Sequence, residues 1–348
     1  MLDKYMEDHK QPMGPLHGLP VSLKDQYHVK PNDTTMGYVG WIYTHEGSKD
    51  PKLVHNVDSQ VVSELLSLGA VLYCKTSLPQ TLLLGEMENN IIGRTLNPVN
   101  QNLPVGVGTD IGGSARIPAA FCGIFSVKPS HNRLSYRQVA NTNPGQDTYA
   151  SSVGVMGASL GAVGLVLKSL ISTQPWLRDP SVVPIPWRQQ IVEETLGRNR
   201  DKDTNATSKP LKLGVYWDDG VVTPHPPVAR ELRIVAEAVE KAGHKVTTRP
   251  GAYMMQGLTG LGHGLDSAFT DNSEESAHLT IEGKAYCESF SDYWNSTSVD
   301  DGQIVDAVIM PVAPHATVIP GKYYHTGKVA PDAYFIDFAM KLQRTLLR

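Results

Sequence analysis

The sequence predicts an α/β protein in which a mixed central β-sheet is flanked by helices. Short apolar segments of strand length alternate with segments that have helical spacing. The 348 residues are 41% hydrophobic and 19% charged, which is enough to bury a sizeable core. The chain also contains 31 glycines and 24 prolines, and this frequency favours a loop-rich α/β enzyme.

The N-terminal part predicts a strand, a helix and a second strand. Residues 16–24 form a Gly/Pro-punctuated loop that leads into a short buried strand. Apolar residues with helical spacing predict a helix over residues 57–68, with Asn56 or Asp58 as its N-cap. Residues 70–74 are apolar and predict the next strand.

The later parts of the chain continue this alternation. Residues 154–171 predict a helix packed on one face. A strand over residues 211–216, a helix over 227–242 and a strand over 244–247 form another βαβ unit. Residues 306–312 predict an apolar strand that meets a proline, which is typical of a sheet edge or a strand end beside a site.

Composition excludes several classes of function. Lys and Arg total 31 against 35 Asp and Glu, and the net charge of −4 argues against nucleic-acid or anionic-membrane binding. No apolar run approaches the ~18 residues of a membrane span, and the N-terminus does not resemble a secretory signal. Cys74, Cys122 and Cys287 are far apart, which argues against a disulfide scaffold and favours the cytoplasm.

The strongest local motif is GVGTDIGGSARIP at residues 106–118. It matches neither the dinucleotide fingerprint nor the G-x-S-x-G nucleophile elbow. Its successive glycines let backbone N–H groups converge, so that Ser114 could attack a carbonyl while these amides hold the oxyanion. Asp110 and Arg116 flank the serine and are suited to pin the loop as a charged pair. A tight turn beside a buried strand is the alternative, and the motif alone favours it.

Lys24 is the first candidate for the base that a nucleophilic serine requires. It ends the apolar segment VSLK and precedes Asp25. Such a lysine is either an exposed strand end or a buried amine whose lowered pKa lets it act as a base. Spacing alone favours exposure, and none of the 12 histidines lies in a context that marks it as the base.

Four segments together resemble the amidase signature family, which hydrolyses carboxamides with a Ser–Ser–Lys triad. They are GPLHGLPVSLKD, TSLPQ, GRTLNP and GVGTDIGGSARIPAAFCGIFSVKPS. The segments DYWNST and DAVIMPVAP are similar to the fungal acetamidase-like branch. The resemblance runs from the N-terminus to about residue 314 and implies the family's α/β fold.

The resemblance also implies roles for individual residues. Ser114 matches the nucleophile and Lys24 the catalytic lysine, while Asp110 and Arg116 match the polar residues that support the loop. The amides that match the oxyanion hole are those of Ile111, Gly112, Gly113 and Ser114. The implied partner is a small-molecule amide, with no cofactor, no metal and no nucleic acid, and a homodimer is left open.

One catalytic residue of the family has no counterpart in this chain. The family carries a Gly-Gly-Ser-Ser-Gly-Gly segment, followed by a helix, between its Asn-Pro and its Gly-x-Gly-Thr-Asp, and the second serine relays the proton between lysine and nucleophile. Here Asn97-Pro98 is followed by VNQNLPV and then directly by Gly106. Other serines lie outside the matching motif, namely Ser22, Ser77, Ser130, Ser151 and Ser152.

The sequence therefore predicts an incomplete amidase-signature domain over residues 1–320 and a divergent tail over residues 321–348. The tail has the pattern of an amphipathic helix over residues 334–347. The family's N-terminal helices are mostly missing, so the chain resembles a spliced, truncated or mispredicted form of an amidase gene. Loss of the internal helix is expected to uncover apolar strand surface and to make the chain poorly soluble.

Three functions are compatible with these observations. The first is an amide hydrolase that acts by acyl transfer and is slow because its relay serine is missing. The second is a catalytically inactive remnant or binding protein that keeps only the pocket. The third is an amidotransferase subunit, against which the fungal-type motifs argue. No motif fixes the natural amide.

Overall fold

The structure is a computed structural model. It describes residues 2–82, 85–96, 105–142, 144, 150–198, 210–218, 223–248, 273–299 and 301–319. These residues form two compact units, one of residues 2–187 with 319 and one of residues 188–318. Among the residues of these ranges, no helix is long and apolar enough to cross a membrane.

The N-terminal unit carries the predicted active-site motifs. Its helices are α1 (Leu2–His9), α2 (Gln60–Ser67), α3 (Arg116–Cys122) and α4 (Leu160–Ser172). Its strands are β1 (Pro20–Lys24), β2 (Val71–Thr76), β3 (Glu88–Asn89), β4 (Gly93–Arg94), β5 (Val105–Asp110), β6 (Phe125–Val127) and β7 (Ser152–Gly157). Short 3-10 helices are formed by Val39–Trp41, Gln80–Leu82 and Pro175–Leu177.

The central sheet of this unit has the strand order β2-β1-β5-β7-β6. Strands β2, β1 and β5 are parallel, whereas β7 is antiparallel to both β5 and β6. The prediction of a mixed sheet flanked by helices is thus confirmed. Because Leu23 of β1 lies opposite Val107 of β5, the carboxyl ends of these two strands meet at one edge of the sheet. The residues at that edge form the candidate site.

The core lies between one face of the sheet and the helices α2 and α4. Successive side chains of a strand point to opposite faces, so every second residue of β1, β5 and β7 faces these helices. The buried sheet residues are Val21, Leu23, Val105, Val107, Val153 and Val155. The buried helix residues are Val61, Val62, Leu65, Val163, Val166 and Leu170. Each fully buried side chain of this size contributes about 1.5–3 kcal/mol.

The opposite face of the sheet carries glycines that allow close approach. A Cβ built on Gly106 would lie 2.8 Å from the Ser22 hydroxyl oxygen. A Cβ built on Gly154 would lie 2.6 Å from the Cβ of Ala115, the residue that precedes α3. The segment after β5 therefore rests directly on the backbone of β7.

Among its described residues, the C-terminal unit contains a parallel three-stranded sheet with the order β10-β8-β9. Its strands are β8 (Lys212–Val215), β9 (Lys245–Thr247) and β10 (Ala307–Ile309), and its helices are α5 (Gln189–Gly197), α6 (Pro226–Lys241) and α7 (Ser273–Ser296). Buried Lys212 donates from Nζ to Asp301 Oδ1 and to the Thr297 carbonyl, each at 2.8 Å. The proline-ended strand predicted from residues 306–312 is observed as β10 at the edge of this sheet.

One predicted element is wrong. Residues 154–171 were expected to be a single helix, but strand β7 continues to residue 157 and α4 begins only at residue 160. Val153 and Val155 of the segment SVGVMG pack in the core, and Gly154 between them is buried on the other face, as in a central strand that pairs on both sides. Ser159 then caps α4 by accepting a hydrogen bond from the Ala162 amide, and this cap starts the helix.

The other helices and strands predicted within the described residues are observed with slightly different ends. For α2 the N-cap position is occupied by Ser59, and neither Asn56 nor Asp58 holds it. The domain assignment over residues 1–320 and 321–348 remains a proposal. The tail, with its predicted helix over residues 334–347, lies outside the described residues.

Strand β2 forms an edge of the central sheet among the described residues, and it exposes apolar side chains. Val71 and Tyr73 are each 40% exposed. An exposed apolar edge strand is a template for pairing with other chains. We expect Val71→Lys to reduce aggregation and hydrophobic-dye binding of the chain, because a charge on an edge strand opposes such pairing. Light scattering and dye fluorescence measure both effects.

The control for this prediction is Val39→Lys, since Val39 is 59% exposed but lies on a 3-10 helix. This control should leave scattering and dye fluorescence unchanged. A monodisperse wild-type chain with a sharp cooperative melt above about 55 °C and no dye binding would contradict the prediction.

Candidate active site

Lys24 lies at the carboxyl end of β1 and is only 7% exposed. Its Nζ donates a hydrogen bond to the Thr109 hydroxyl oxygen at 3.0 Å. Burial lowers the pKa of Lys24 from 10.5 to about 8, against the opposing attraction of the Asp110 carboxylate. The Lys24 amine is thus buried, whereas spacing alone favoured an exposed lysine at a strand end. An amine of this pKa is partly neutral near pH 8 and able to accept a proton.

Thr109 connects Lys24 to a buried polar network. Its hydroxyl accepts from Lys24 and donates to the Gln26 side-chain oxygen at 2.5 Å. The Gln26 amide nitrogen donates in turn to the Ala140 carbonyl at 2.8 Å and to the Tyr136 hydroxyl at 3.4 Å. Burial raises the pKa of Tyr136, which favours its neutral form. The network fixes the Thr109 hydroxyl and therefore the direction of the lysine amine.

The loop between β5 and α3 is held by the Asp110 side chain, which is fully buried. Its carboxylate accepts from the backbone amides of Gly113 and Ala115, at 2.9 and 3.2 Å. It also accepts from Arg116 Nε at 2.9 Å and from the Arg116 Nη2 atom at 3.0 Å. The Arg116 amide also donates to it at 3.4 Å, so the loop closes around a single carboxylate, and Ser114 lies between the Gly113 and Ala115 amides.

Gly113 gives the loop its shape. Its φ of +112° is a conformation that residues with a side chain rarely adopt. The turn brings the Gly113 amide onto Asp110, and Ser114 is half-buried immediately after it. Of the four amides expected in the oxyanion hole, that of Gly113 therefore has the Asp110 carboxylate as a partner. The other three belong to Ile111, Gly112 and Ser114.

Sequence reasoning missed Thr109, Gln26 and Tyr136. Thr109 stands inside the quoted motif directly before Asp110, and this position in the motif was the signal that could have found it. Gln26 and Tyr136 are 110 residues apart in the chain, and no local pattern marks either of them.

The serines outside the relay motif have different surroundings. Ser77 accepts a hydrogen bond from the Asn89 side chain at 2.9 Å, and Ser152 lies opposite Asp110 in the ladder between β5 and β7. Ser22 lies on β1 beside Gly106. The segment in which the relay serine is missing, residues 97–104, lies outside the described residues.

A scan against protein-family models decides the family. The Amidase model matches residues 1–106 and 101–252. The chain belongs to the amidase family. The two matched stretches overlap at residues 101–106. This overlap lies shortly after Asn97-Pro98, where the sequence comparison with the family expects the relay serine.

Curated relatives include fungal acetamidases, which supports the acetamidase-like branch. The chain is 35% identical over 372 aligned residues to an acetamidase of Emericella nidulans, covering 94% of this chain and 65% of the relative. It is 43% identical over 263 residues to an acetamidase of Aspergillus oryzae, covering 70% of this chain and 45% of the relative. The first alignment spans 372 positions and is therefore longer than the 348 residues of this chain. The Emericella nidulans protein thus has additional residues at places where this chain has gaps. The chain thus spans about half to two thirds of these relatives.

Solved structures of amidases have the same fold. A fatty acid amide hydrolase matches with a TM-score of 0.72 and 27% identity, covering 97% of this chain and 63% of that one. A glutamyl-tRNA(Gln) amidotransferase subunit from Thermotoga maritima matches with a TM-score of 0.66 over 94% of this chain and 75% of that one. The identity of the second is 16%, which shows likeness of fold alone.

Proposed function

We propose that this amidase chain hydrolyses small carboxamides by acyl transfer, with Ser114 as nucleophile and Lys24 as base. The observation that carries the proposal is the buried Lys24 at the end of β1: its lowered pKa makes it a proton acceptor, and its bond to Thr109 attaches it to β5, the strand that leads into the Ser114 loop. The names of the amidase and acetamidase relatives support the same reaction.

The proposed reaction follows the ordinary course of acyl transfer. The Ser114 hydroxyl oxygen bonds to the amide carbon while its proton passes toward the neutral Lys24 amine. The negative charge moves to the amide oxygen, which the amides of Ile111, Gly112 and Ser114 stabilise, because the Gly113 amide already donates to Asp110. The C–N bond breaks as the nitrogen takes the proton, and water then hydrolyses the Ser114 ester.

The expected rate is low. Without the relay serine, the proton between Ser114 and Lys24 has to pass through a water or another hydroxyl. A mobile water is less well oriented than a fixed side chain, and orientation governs much of the rate.

Release of ammonia from acetamide and of the aromatic amine from aryl amides tests the proposal. We expect turnover well below the range of about 1–1000 per second that is ordinary for enzymes. Ser114→Ala should abolish it, because no nucleophile then remains. The matched control is Ser63→Ala, since Ser63 is an exposed serine on α2.

Two results would contradict the proposal. Turnover within the ordinary range would contradict the expected low rate and show that the relay serine is not needed. Residual turnover that survives Ser114→Ala would contradict the assignment of Ser114 as nucleophile. An inactive wild-type chain that still binds an amide would favour the binding-protein alternative, which the missing relay serine supports. Copurification with partner subunits would favour an amidotransferase role.

We also propose the cytoplasm as the location. Cys74, Cys122 and Cys287 are free thiols in the structure, and free thiols are typical of a reducing compartment. The net charge of −4 supports a small-molecule amide over nucleic acid as the partner. Light scattering would show whether the chain forms a homodimer.

A further inference from the structure

A second cluster of reactive side chains lies on the long loop between β1 and α2. His28 stands four residues after Lys24 and is 5% exposed, so its imidazole is held inside the unit. His45 and Glu46 are adjacent residues further along the loop, with His45 half-buried and Glu46 exposed. None of these side chains has a part in the proposed amide hydrolysis.

The three side chains converge on one point. A ligand atom of each lies within 4.8 Å of a ligand atom of the other two. His28 Nε2 and Glu46 Oε1 are 3.0 Å apart, and the two imidazole rings have centroids 4.4 Å apart with their planes inclined by 33°. Ligand atoms of a tetrahedral zinc ion are about 3.4 Å apart, because Zn–N and Zn–O bonds are about 2.0–2.2 Å long. Closing the cluster onto an ion therefore requires side-chain shifts of about 1 Å.

The backbone holds Glu46 in this position. His45 and Ser48 exchange two backbone hydrogen bonds, at 2.8 and 2.9 Å, and so close a tight turn. Both central residues have positive φ, +51° for Glu46 and +86° for Gly47. Such a turn normally has Asn, Asp or Gly at the Glu46 position, so glutamate is strained there. The strain is offset if the carboxylate has a partner, and in the structure it faces His28.

The His28 backbone is also fixed from the other side. Its amide donates to the Ser59 hydroxyl at 2.9 Å, and its carbonyl accepts from the Ser59 amide at 3.0 Å. His28 thus joins the N-terminus of α2 to the start of the loop. An ion at this cluster would attach the turn at residues 45–48 to a buried, anchored imidazole.

We propose that His28, His45 and Glu46 form a binding site for one divalent transition-metal ion, with Zn²⁺ as the preferred ion. Two imidazoles and one carboxylate are a ligand set suited to zinc and to neighbouring first-row metals. Three protein ligands leave a fourth position for water. The expected role is structural, because the ion clamps the loop that follows the catalytic strand.

Metal titration of the untagged full chain tests this site. After dialysis against a chelator, Zn²⁺ titrated calorimetrically should bind with a stoichiometry of one and raise the melting temperature. Co²⁺ in its place should give the intense visible absorption of a tetrahedral complex. His45→Gln and Glu46→Gln should each weaken Zn²⁺ binding at least tenfold and abolish the Co²⁺ absorption.

His55→Gln is the matched control, because His55 pairs with Asp33 at 2.6 Å on the same loop but lies outside the cluster. It should leave Zn²⁺ affinity and the Co²⁺ absorption unchanged. His28 is buried, so loss of Zn²⁺ binding in a His28→Gln variant would not distinguish loss of a ligand from loss of the fold. The absence of Zn²⁺ binding, or equal weakening in all three variants, would overturn the proposal. Amide hydrolysis is not a readout, so the result is independent of the proposed reaction.

Discussion

Replacing Asp110 with alanine is expected to lower the free energy of unfolding by about 3–5 kcal/mol and to abolish amide hydrolysis. The carboxylate is fully buried and accepts hydrogen bonds from the Gly113 and Ala115 amides and from two nitrogens of Arg116. Its removal leaves the largely buried guanidinium without this anion and three backbone amides without this acceptor. The Ser114 loop then loses the group around which it closes. Denaturant unfolding and ammonia release measure the two effects.

The control for Asp110→Ala is Glu231→Ala, which removes the carboxylate of an exposed ion pair with Arg230. Exposed pairs contribute about 0–1 kcal/mol, so this variant should be nearly neutral. In the Asp110→Ala background, Arg116→Leu should recover part of the lost stability, because the buried charge that lost its carboxylate is then removed as well. An Asp110→Ala variant within about 1 kcal/mol of wild type would show that the loop is held in another way.

Lys24→Met is expected to abolish hydrolysis and at the same time to stabilise the fold at pH 7. A shift of the pKa from 10.5 to about 8 corresponds to about 3 kcal/mol of free energy that the fold loses by burying the charged amine. Loss of the bond to Thr109 offsets about 1 kcal/mol of this gain. The net increase in the free energy of unfolding at pH 7 should be about 2 kcal/mol.

The pH dependence of stability tests whether the gain in Lys24→Met comes from removing a buried charged amine. Between pH 8 and 10.5 the unfolded chain holds the Lys24 proton and the folded chain has lost it, so wild-type stability should rise with pH in this window. The rise should be smaller in Lys24→Met, whose advantage over wild type shrinks toward pH 10.5. The exposed Lys49 provides the control variant Lys49→Met, which should follow wild type. A Lys24→Met variant less stable than wild type at pH 7 would contradict the prediction.

Much of the fold could be predicted from the sequence, because apolar periodicity reflects which face of an element is buried. Helix α6 has such a pattern along its whole length and was predicted nearly to its ends. The pattern misled at residues 154–171, where a glycine-rich strand runs into a glycine-rich helix and both periods fit the same apolar residues. The ladders of this strand to β5 and β6 distinguish the two interpretations, and these contacts join residues about 28 to 52 positions apart.

The candidate site could be predicted less completely. The motif around Ser114 identified the loop, and the resemblance identified Lys24, but spacing could not show that the Lys24 amine is buried. Burial depends on the network of Thr109, Gln26 and Tyr136, whose members come from separate segments. The cluster of His28, His45 and Glu46 could not be predicted from the sequence either. It forms because a turn with positive φ at Glu46 brings residues 45 and 46 back to His28.

The contact between Gly154 and Ala115 has a consequence for genetic variation in this chain. A library that randomises codon 154 and selects for folded protein should return glycine almost alone, because any side chain there would meet the Ala115 Cβ at 2.6 Å. The restriction should relax to admit alanine when residue 115 is itself glycine, since the opposing methyl group is then gone. Positions 154 and 115 would thus show epistasis, because the residues that are tolerated at position 154 depend on the residue at position 115.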